Sequence, residues 1–283
     1  YNKSKSYVWV DTNQDGTYEA NEKFQPNASI SVLTIGDNGK AETPDKYLPY
    51  GTYEIRETKA PEGYLINDNF RNSVTSKTIQ IRSEGQVVDL TWSKSNAENT
   101  FYDAIKRGQI KIKKNNADVH SDSEAVKAQG DSSLKGAEYT IYNKSKSYVW
   151  VDTNENGRFD SGERYEPNQA VKTIVTDGNG YAQTPEKYLP YGSYMIKETK
   201  APEGYLLDEI RGAKTSLNFT ISEEGQVITK YWSASNTEDT MYNAPIRGGF
   251  KFEKKDAETR KNTPLGGANL QGTFAVVNKS KSY

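Results

Sequence analysis

The stretch "YLPYGSYMIKETKAPEGYL" runs from Tyr188 to Leu206, and "YLPYGTYEIRETKAPEGYL" runs from Tyr47 to Leu65. Side chains on a β-strand alternate between two faces. Tyr194, Ile196 and Glu198 therefore share one face in the later copy, and Tyr53, Ile55 and Glu57 share one face in the earlier copy. Both apolar faces end in a glutamate, a residue almost never fully buried without a partner. Twice, then, an inward carboxyl needs something to meet.

The rest of the chain is organised by the same repetition. "YNKSKSYVWVDTN" begins at Tyr1 and again at Tyr142, an offset of 142 − 1 = 141 residues. "FYDAIKRGQIKIKK" (Phe101–Lys114) returns as "MYNAPIRGGFKFEKK" (Met241–Lys255), and "LGGANLQGTFAVVNKSKSY" at the C-terminus echoes "LKGAEYTIYNKSKSY" (Leu134–Tyr148). These alignments divide the chain into 1–107, a unit without its first strand, 108–247, a whole unit, and 248–283, the start of a third. The joints "AIKRG" and "APIRG" are short, which implies stiff beads in a row.

Within the whole unit, short runs rich in Tyr, Thr, Val and Ile predict strands at 108–114, 137–142, 148–151, 171–176, 192–199, 215–222, 226–232 and 240–243. Frequent Gly, Pro, Asn and Asp turns between them point to an all-β protein, a tandem of β-sandwich repeat domains. "GDNG" and "DGNG" read as hairpin turns rather than phosphate loops. The four tryptophans recur with the repeat (Trp9 with Trp150, Trp92 with Trp232), which suits packing better than sugar stacking.

Composition narrows the function. Among 283 residues the formal net charge is −1, which gives no argument for nucleic acid or a charged membrane surface. No run is long enough for a transmembrane helix, and neither a signal peptide nor a sorting motif is visible. Cysteine is absent and the one histidine, His120, sits in the polar stretch "NNADVHSDSE". Zinc sites and Ser-His-Asp or Cys-His catalysis have almost no material here. Disulfides, the usual staple of small extracellular β domains, are excluded.

The same alternation puts two more polar groups inside. In "QIKIKK", Ile110, Ile112 and Lys114 share a face while Lys111 and Lys113 point out; near the end of the unit, Met241 and Asn243 share one. The equivalents elsewhere are Glu57 and Asp103 in the first unit and Lys254 in the tail. A buried ion pair with an asparagine beside it is one explanation, although burying a lysine for no purpose is expensive. The other is a covalent bond. Burial lowers a lysine pKa and raises a glutamate pKa. The neutral amine attacks the Asn243 carboxamide, Glu198 shuttles protons, and ammonia leaves; with Asp103, water leaves.

"KETKAPEGY", together with "IKIKK" and "YNAPIRG", resembles the CnaB-type (SpaA-like, prealbumin-like) domains of Gram-positive surface adhesins and pilins. That resemblance implies an inverse immunoglobulin-like sandwich. It implies an isopeptide between Lys114 and Asn243 with Glu198 as catalyst. It also gives Glu57 the catalytic place in the first unit, Asp103 the acceptor place there, and Lys254 the lysine place in the tail. It further implies an extracellular, cell-wall-anchored location. Such a bond would close a loop of about 130 residues, worth roughly 5 kcal/mol by the chain-entropy estimate. It would also join first strand to last.

Two loops fit the twelve-residue calcium template of oxygen ligands at positions 1, 3, 5, 7 (backbone), 9 and 12, with Gly at 6. "DTNQDGTYEANE" offers Asp11, Asn13, Asp15, Thr17 (backbone), Glu19 and Glu22, and "DTNENGRFDSGE" offers Asp152, Asn154, Asn156, Arg158 (backbone), Asp160 and Glu163. A polar turn is the plain alternative. The "YVWV" before each loop reads as strand rather than helix, a combination that resembles the calcium-binding B repeats of Sdr-type adhesins. Carboxylate count, four against three, favours the first loop for Ca²⁺.

Three functions are consistent with this sequence: structural stalk repeats of a surface adhesin, a ligand-binding module for a host or partner-cell molecule, and an enzyme. The inward carboxyls offer no evident open pocket, which disfavours the enzyme. The ligand-binding alternative rests on the divergent segments "NDNFRNSVTSK" (67–77) and "DEIRGAKTS" (208–216). The expected partners are neighbouring repeats and a surface ligand. Two explanations of the incomplete end units stand: a piece taken from a longer repeat array, or head-to-tail pairing of Lys254 with Asp103 between molecules.

Overall fold

The computed structural model describes residues 1–66, 73–91, 99–116, 128–158, 160–207, 215–231 and 241–280. His120, Trp92, Trp232 and most of the two divergent segments lie outside them. Two compact units are present, Tyr1–Lys106 and Arg107–Tyr283. Among the described residues, no helix is long and apolar enough to cross a membrane.

The first unit contains β1 (Val8–Trp9), β2 (Lys23–Phe24), β3 (Gly51–Arg56), β4 (Tyr64–Leu65), β5 (Ser76–Ile81) and β6 (Ala104–Ile105). β1 pairs with β2, β3 with β5 and β4 with β6, all antiparallel. Its core is small, with Val8, Val10, Tyr53 and Ile79 at the centre.

The second unit contains β7 (Arg107–Asn116), β8 (Glu138–Asn143), β9 (Val149–Trp150), β10 (Arg164–Tyr165), β11 (Ala170–Val175), β12 (Tyr181–Gln183), β13 (Leu189–Pro190), β14 (Gly192–Lys200), β15 (Ser216–Ile221), β16 (Val227–Lys230) and β17 (Met241–Asn243). One sheet has the order β11-β8-β14-β15. The other is built around β7, with β12 and β13 antiparallel to it and β16 and β17 parallel to it. The inner faces meet in one core. Ile110, Ile112 and Met241 come from the β7 sheet; Tyr139, Ile141, Ile174, Tyr194, Ile196, Leu217 and Phe219 come from the other. Each large apolar side chain fully buried there contributes about 1.5–3 kcal/mol. This is the all-β sandwich that the alternation predicts.

Two glycines let backbones approach. A Cβ on Gly108 would stand 2.6 Å from the Gln226 carbonyl oxygen, so β16 lies against β7 only because that residue has no side chain. Gly180, at φ +80°, closes the turn into β12, and its carbonyl accepts the Lys114 amide at 2.7 Å. Residues 248–280 carry turns and no strand.

Candidate functional site

The strand pattern places three polar side chains in the second unit's core. Lys114 on β7, Glu198 on β14 and Asn243 on β17 each have 0% of their surface exposed. Lys114 Nζ donates to Glu198 Oε2 at 3.4 Å and lies 3.2 Å from Oε1. Asn243 directs its amide Nδ2 to the Leu206 carbonyl at 2.6 Å, while its Oδ1 is buried without a hydrogen-bond donor. β14 slips register against β8 between Glu198 and Lys200. Such bulges re-aim side chains next to functional sites.

The electrostatics follow from burial. Burial brings the Lys114 ammonium down to about 8, against the opposing pull of the Glu198 charge. Burial raises the Glu198 carboxyl, against Lys114, Asn243 and Tyr139, which favour its charged form. Both shifts run toward the neutral pair, an amine and a carboxylic acid. Tyr139 sits opposite Glu198 in the β8–β14 ladder, with Lys114 Nζ 6.0 Å from its ring centroid. Sequence reasoning missed Tyr139, although the alternation of Ala137, Tyr139 and Ile141 in "AEYTIY" already puts it on the inner face.

In the first unit, Glu57 and Asp103 are neighbours and half-buried. Burial, then the Asp103 carboxyl beside it, push Glu57 up to about 7, and its Oε2 is buried without a hydrogen-bond partner. Lys254 lies in the tail, exposed, 6.0 Å from the Phe274 ring centroid.

Both acidic loops are ordered by their own side chains. Asp11 accepts the amides of Asp15 (3.2 Å) and Gly16 (2.9 Å), and Asp152 accepts those of Asn156 (3.1 Å) and Gly157 (2.8 Å). Gly16 and Gly157, the sixth residues, take φ +84° and +74°. In the first loop the Asn13 amide bridges Asp15 Oδ2 (3.1 Å) and Glu19 Oε2 (3.4 Å). In the second, Asn154 and Asn156 both donate to Asp160 Oδ2, at 3.0 and 2.7 Å. Thr17 and Arg158, the seventh residues, give their amides to Asp15 and Asn156.

The twelfth residues take a different post. Glu22 and Glu163 are 1% and 3% exposed, and each turns one oxygen to the loop's first turn. Glu22 Oε1 accepts Thr12 N at 2.6 Å, Thr12 Oγ1 at 2.8 Å and Asn13 N at 3.3 Å; Glu163 Oε1 does the same with Thr153 and Asn154. Burial opposes ionisation of Glu163, but donors from Trp150, Thr153 and Asn154 outweigh it and hold the carboxyl at about 2. Among the described residues, no three Asp, Glu, His or Cys side chains are drawn together as a metal cluster. The donor set facing outward in each loop is nonetheless all oxygen, which suits a hard cation.

A profile of the SpaA prealbumin-like fold domain matches residues 7–93 and 108–236. Serine-aspartate repeat-containing protein D of Staphylococcus aureus (strain Newman) is 26% identical over 227 residues, covering 72% of this chain and 14% of that protein. Serine-aspartate repeat-containing protein F of Staphylococcus epidermidis (strain ATCC 12228 / FDA PCI 1200) is 28% identical over 243 residues, covering 79% of this chain and 12% of that protein. The chain thus spans a small part of either relative. Among solved structures, the Bacillus anthracis TIE protein aligns with a TM-score of 0.43 at 21% identity, over 85% of this chain and 31% of that one. With the profile matched in both units, the chain belongs to the SpaA family of prealbumin-like fold domains.

Proposed function

We propose that these units are structural stalk repeats of a bacterial cell-surface protein, locked by a self-made amide bond and steadied by calcium. The observation that carries the reading is the fully buried trio of Lys114, Glu198 and Asn243. A lysine with no exposed surface is costly as an ion but useful as a nucleophile. Glu198 takes a proton from the Lys114 ammonium, and the neutral Nζ attacks Asn243 Cγ. Glu198, now an acid, polarises Oδ1, returns a proton to Nδ2 and, as a carboxylate again, takes the second proton from Nζ. The C–Nδ2 bond breaks, ammonia leaves, and Nζ–Cγ remains as an amide. Each molecule performs this once, so it is maturation rather than turnover. The Glu57–Asp103 pair is suited to the same chemistry with an incoming lysine and loss of water.

In the loops, the Asp11, Asn13, Asp15 and Glu19 side chains with the Thr17 carbonyl would hold calcium. So would Asp152, Asn154, Asn156 and Asp160 with the Arg158 carbonyl. Glu22 and Glu163 clasp the loops from behind. Bound calcium supplies charge neutralisation to crowded carboxylates.

Intact-mass spectrometry tests the bond. The purified chain is expected to weigh one ammonia less than its sequence, and Glu198→Ala to restore that mass. A wild-type mass equal to the sequence mass would sink the proposal.

A further inference from the structure

The strand that carries Lys114 begins at Arg107, a charged residue only 2% exposed. Its guanidinium donates to the carbonyl oxygens of Tyr188 and Trp150, both at 3.2 Å, and its Cζ lies 5.1 Å from the Trp150 ring centroid. On the main chain, Arg107 N donates to Glu224 Oε2 at 2.8 Å. Trp150 is the last residue before the second loop's "VDTN", and its indole N–H donates to Glu163 Oε2 at 3.1 Å. Glu163 in turn clasps Thr153 and Asn154. Direct contacts therefore run without a gap from the first residue of the unit to the acidic loop.

The first unit gives an internal comparison. Its clasp is the same, Glu22 on Thr12 and Asn13. Its tryptophan is engaged differently: Trp9 stands edge-on to Tyr18 with centroids 6.1 Å apart, and the Lys23 ammonium is 5.7 Å from its ring centroid. Glu22 Oε2 accepts Glu19 N at 3.2 Å, as Glu163 Oε2 accepts Asp160 N at 3.4 Å. Tyr7, Val8, Trp9, Tyr18, Pro49 and Tyr50 line an open pocket there of about 430 Å³. In the second unit, Pro190, the counterpart of Pro49, is paired with Arg107 itself.

We propose that Arg107 and Trp150 form a latch that pre-sets Glu163 and so strengthens calcium binding by the second loop. The proposal rests on the calcium reading above. A rigid fork on two carbonyls and an aromatic face fixes the indole. The fixed indole removes rotamer freedom from Glu163, which would otherwise be ordered at the expense of binding. Coupling is reciprocal: calcium in the loop tightens the seat of Arg107 and so the start of β7. "RG" recurs at Arg247–Gly248, and the repeat aligns Arg247 with Arg107.

Calcium titration of the 283-residue chain by calorimetry, with hydrogen exchange at Gly108–Ile110, tests the latch. Asp152→Asn is expected to abolish binding at the second loop and Asp11→Asn binding at the first, which assigns each affinity to its loop. Arg107→Ala and Trp150→Phe are each expected to weaken the second loop's site about tenfold, as loss of an outer-shell partner does, and to leave the first loop's site unmoved. Trp150→Phe keeps an aromatic ring but loses the N–H with the five-membered half of the indole, so a cooperative melt of this variant, as in wild type, separates latching from folding. Calcium should slow exchange at Gly108–Ile110 in wild type but not in Trp150→Phe. Unchanged affinity of the second loop in both variants would overturn the latch while leaving calcium binding intact. No calcium binding at either loop would overturn both.

Discussion

Lys114 is useful as a neutral amine and expensive as a cation, and its pH behaviour follows from that contrast. In the Asn243→Ala variant, Lys114 and Glu198 remain but there is no carbonyl to attack. Between about 8 and the ordinary lysine value of 10.5, the unfolded chain holds a proton that the folded one lacks. Stability of this variant is therefore expected to rise as pH climbs through that window, by on the order of 3 kcal/mol. Glu198 acts oppositely: its raised pKa makes stability fall as pH climbs from 4.5 toward the raised value. With the proposed bond in place, wild type has no Lys114 amine to titrate, so its urea midpoint should show no rise above pH 8. Identical profiles would argue that wild type also keeps a free lysine. The inward placement of the trio was legible in the sequence because strand alternation assigns faces. Arg107 was not, because burial at the first residue of a strand depends on what packs over it: here the carbonyls of Trp150 and Tyr188, 43 and 81 residues away.

At the scale of elements, β7 is the spine of its sheet. Gly108 lets β16 lie against it; an added Cβ would meet Ile221 methyl groups at 3.0 and 3.1 Å as well as the Gln226 carbonyl. Gly108→Ala is expected to lower stability by about 1–3 kcal/mol, the usual cost of overpacking, read as a lower urea midpoint with unchanged slope. The long strands β7, β8, β11, β14 and β15 were all legible, because each shows apolar alternation over several residues. The two-residue strands β10 and β13 were not. Arg164–Tyr165 and Leu189–Pro190 are too short to show a period, and their pairing with β9 and β7 is a tertiary event. The acidic loops were legible in register. The turn of Glu22 and Glu163 toward backbone amides was not, since a template assigns ligands and says nothing of competing donors.

For the whole molecule, the proposed cross-link and cation would act on different states. The proposed bond would restrain the unfolded chain, whereas calcium in the proposed loops would bind the folded one. Chelation is expected to lower the melting temperature and calcium to restore it, by an amount equivalent to about 2.7 kcal/mol at a hundredfold excess over Kd. A melt that ignores both would count against calcium in the loops. One feature of the sheet has a mechanical consequence of its own. β17 lies beside β7 and parallel to it, with Met241 opposite Lys114 and Asn243 opposite Asn116. Pulled along the chain, the two strands are dragged in opposite directions at opposite ends of a shared ladder. Their hydrogen bonds are then sheared together instead of peeled one at a time. A unit in which Lys114 is a free amine is thereby already oriented to carry load in shear, ahead of the proposed bond.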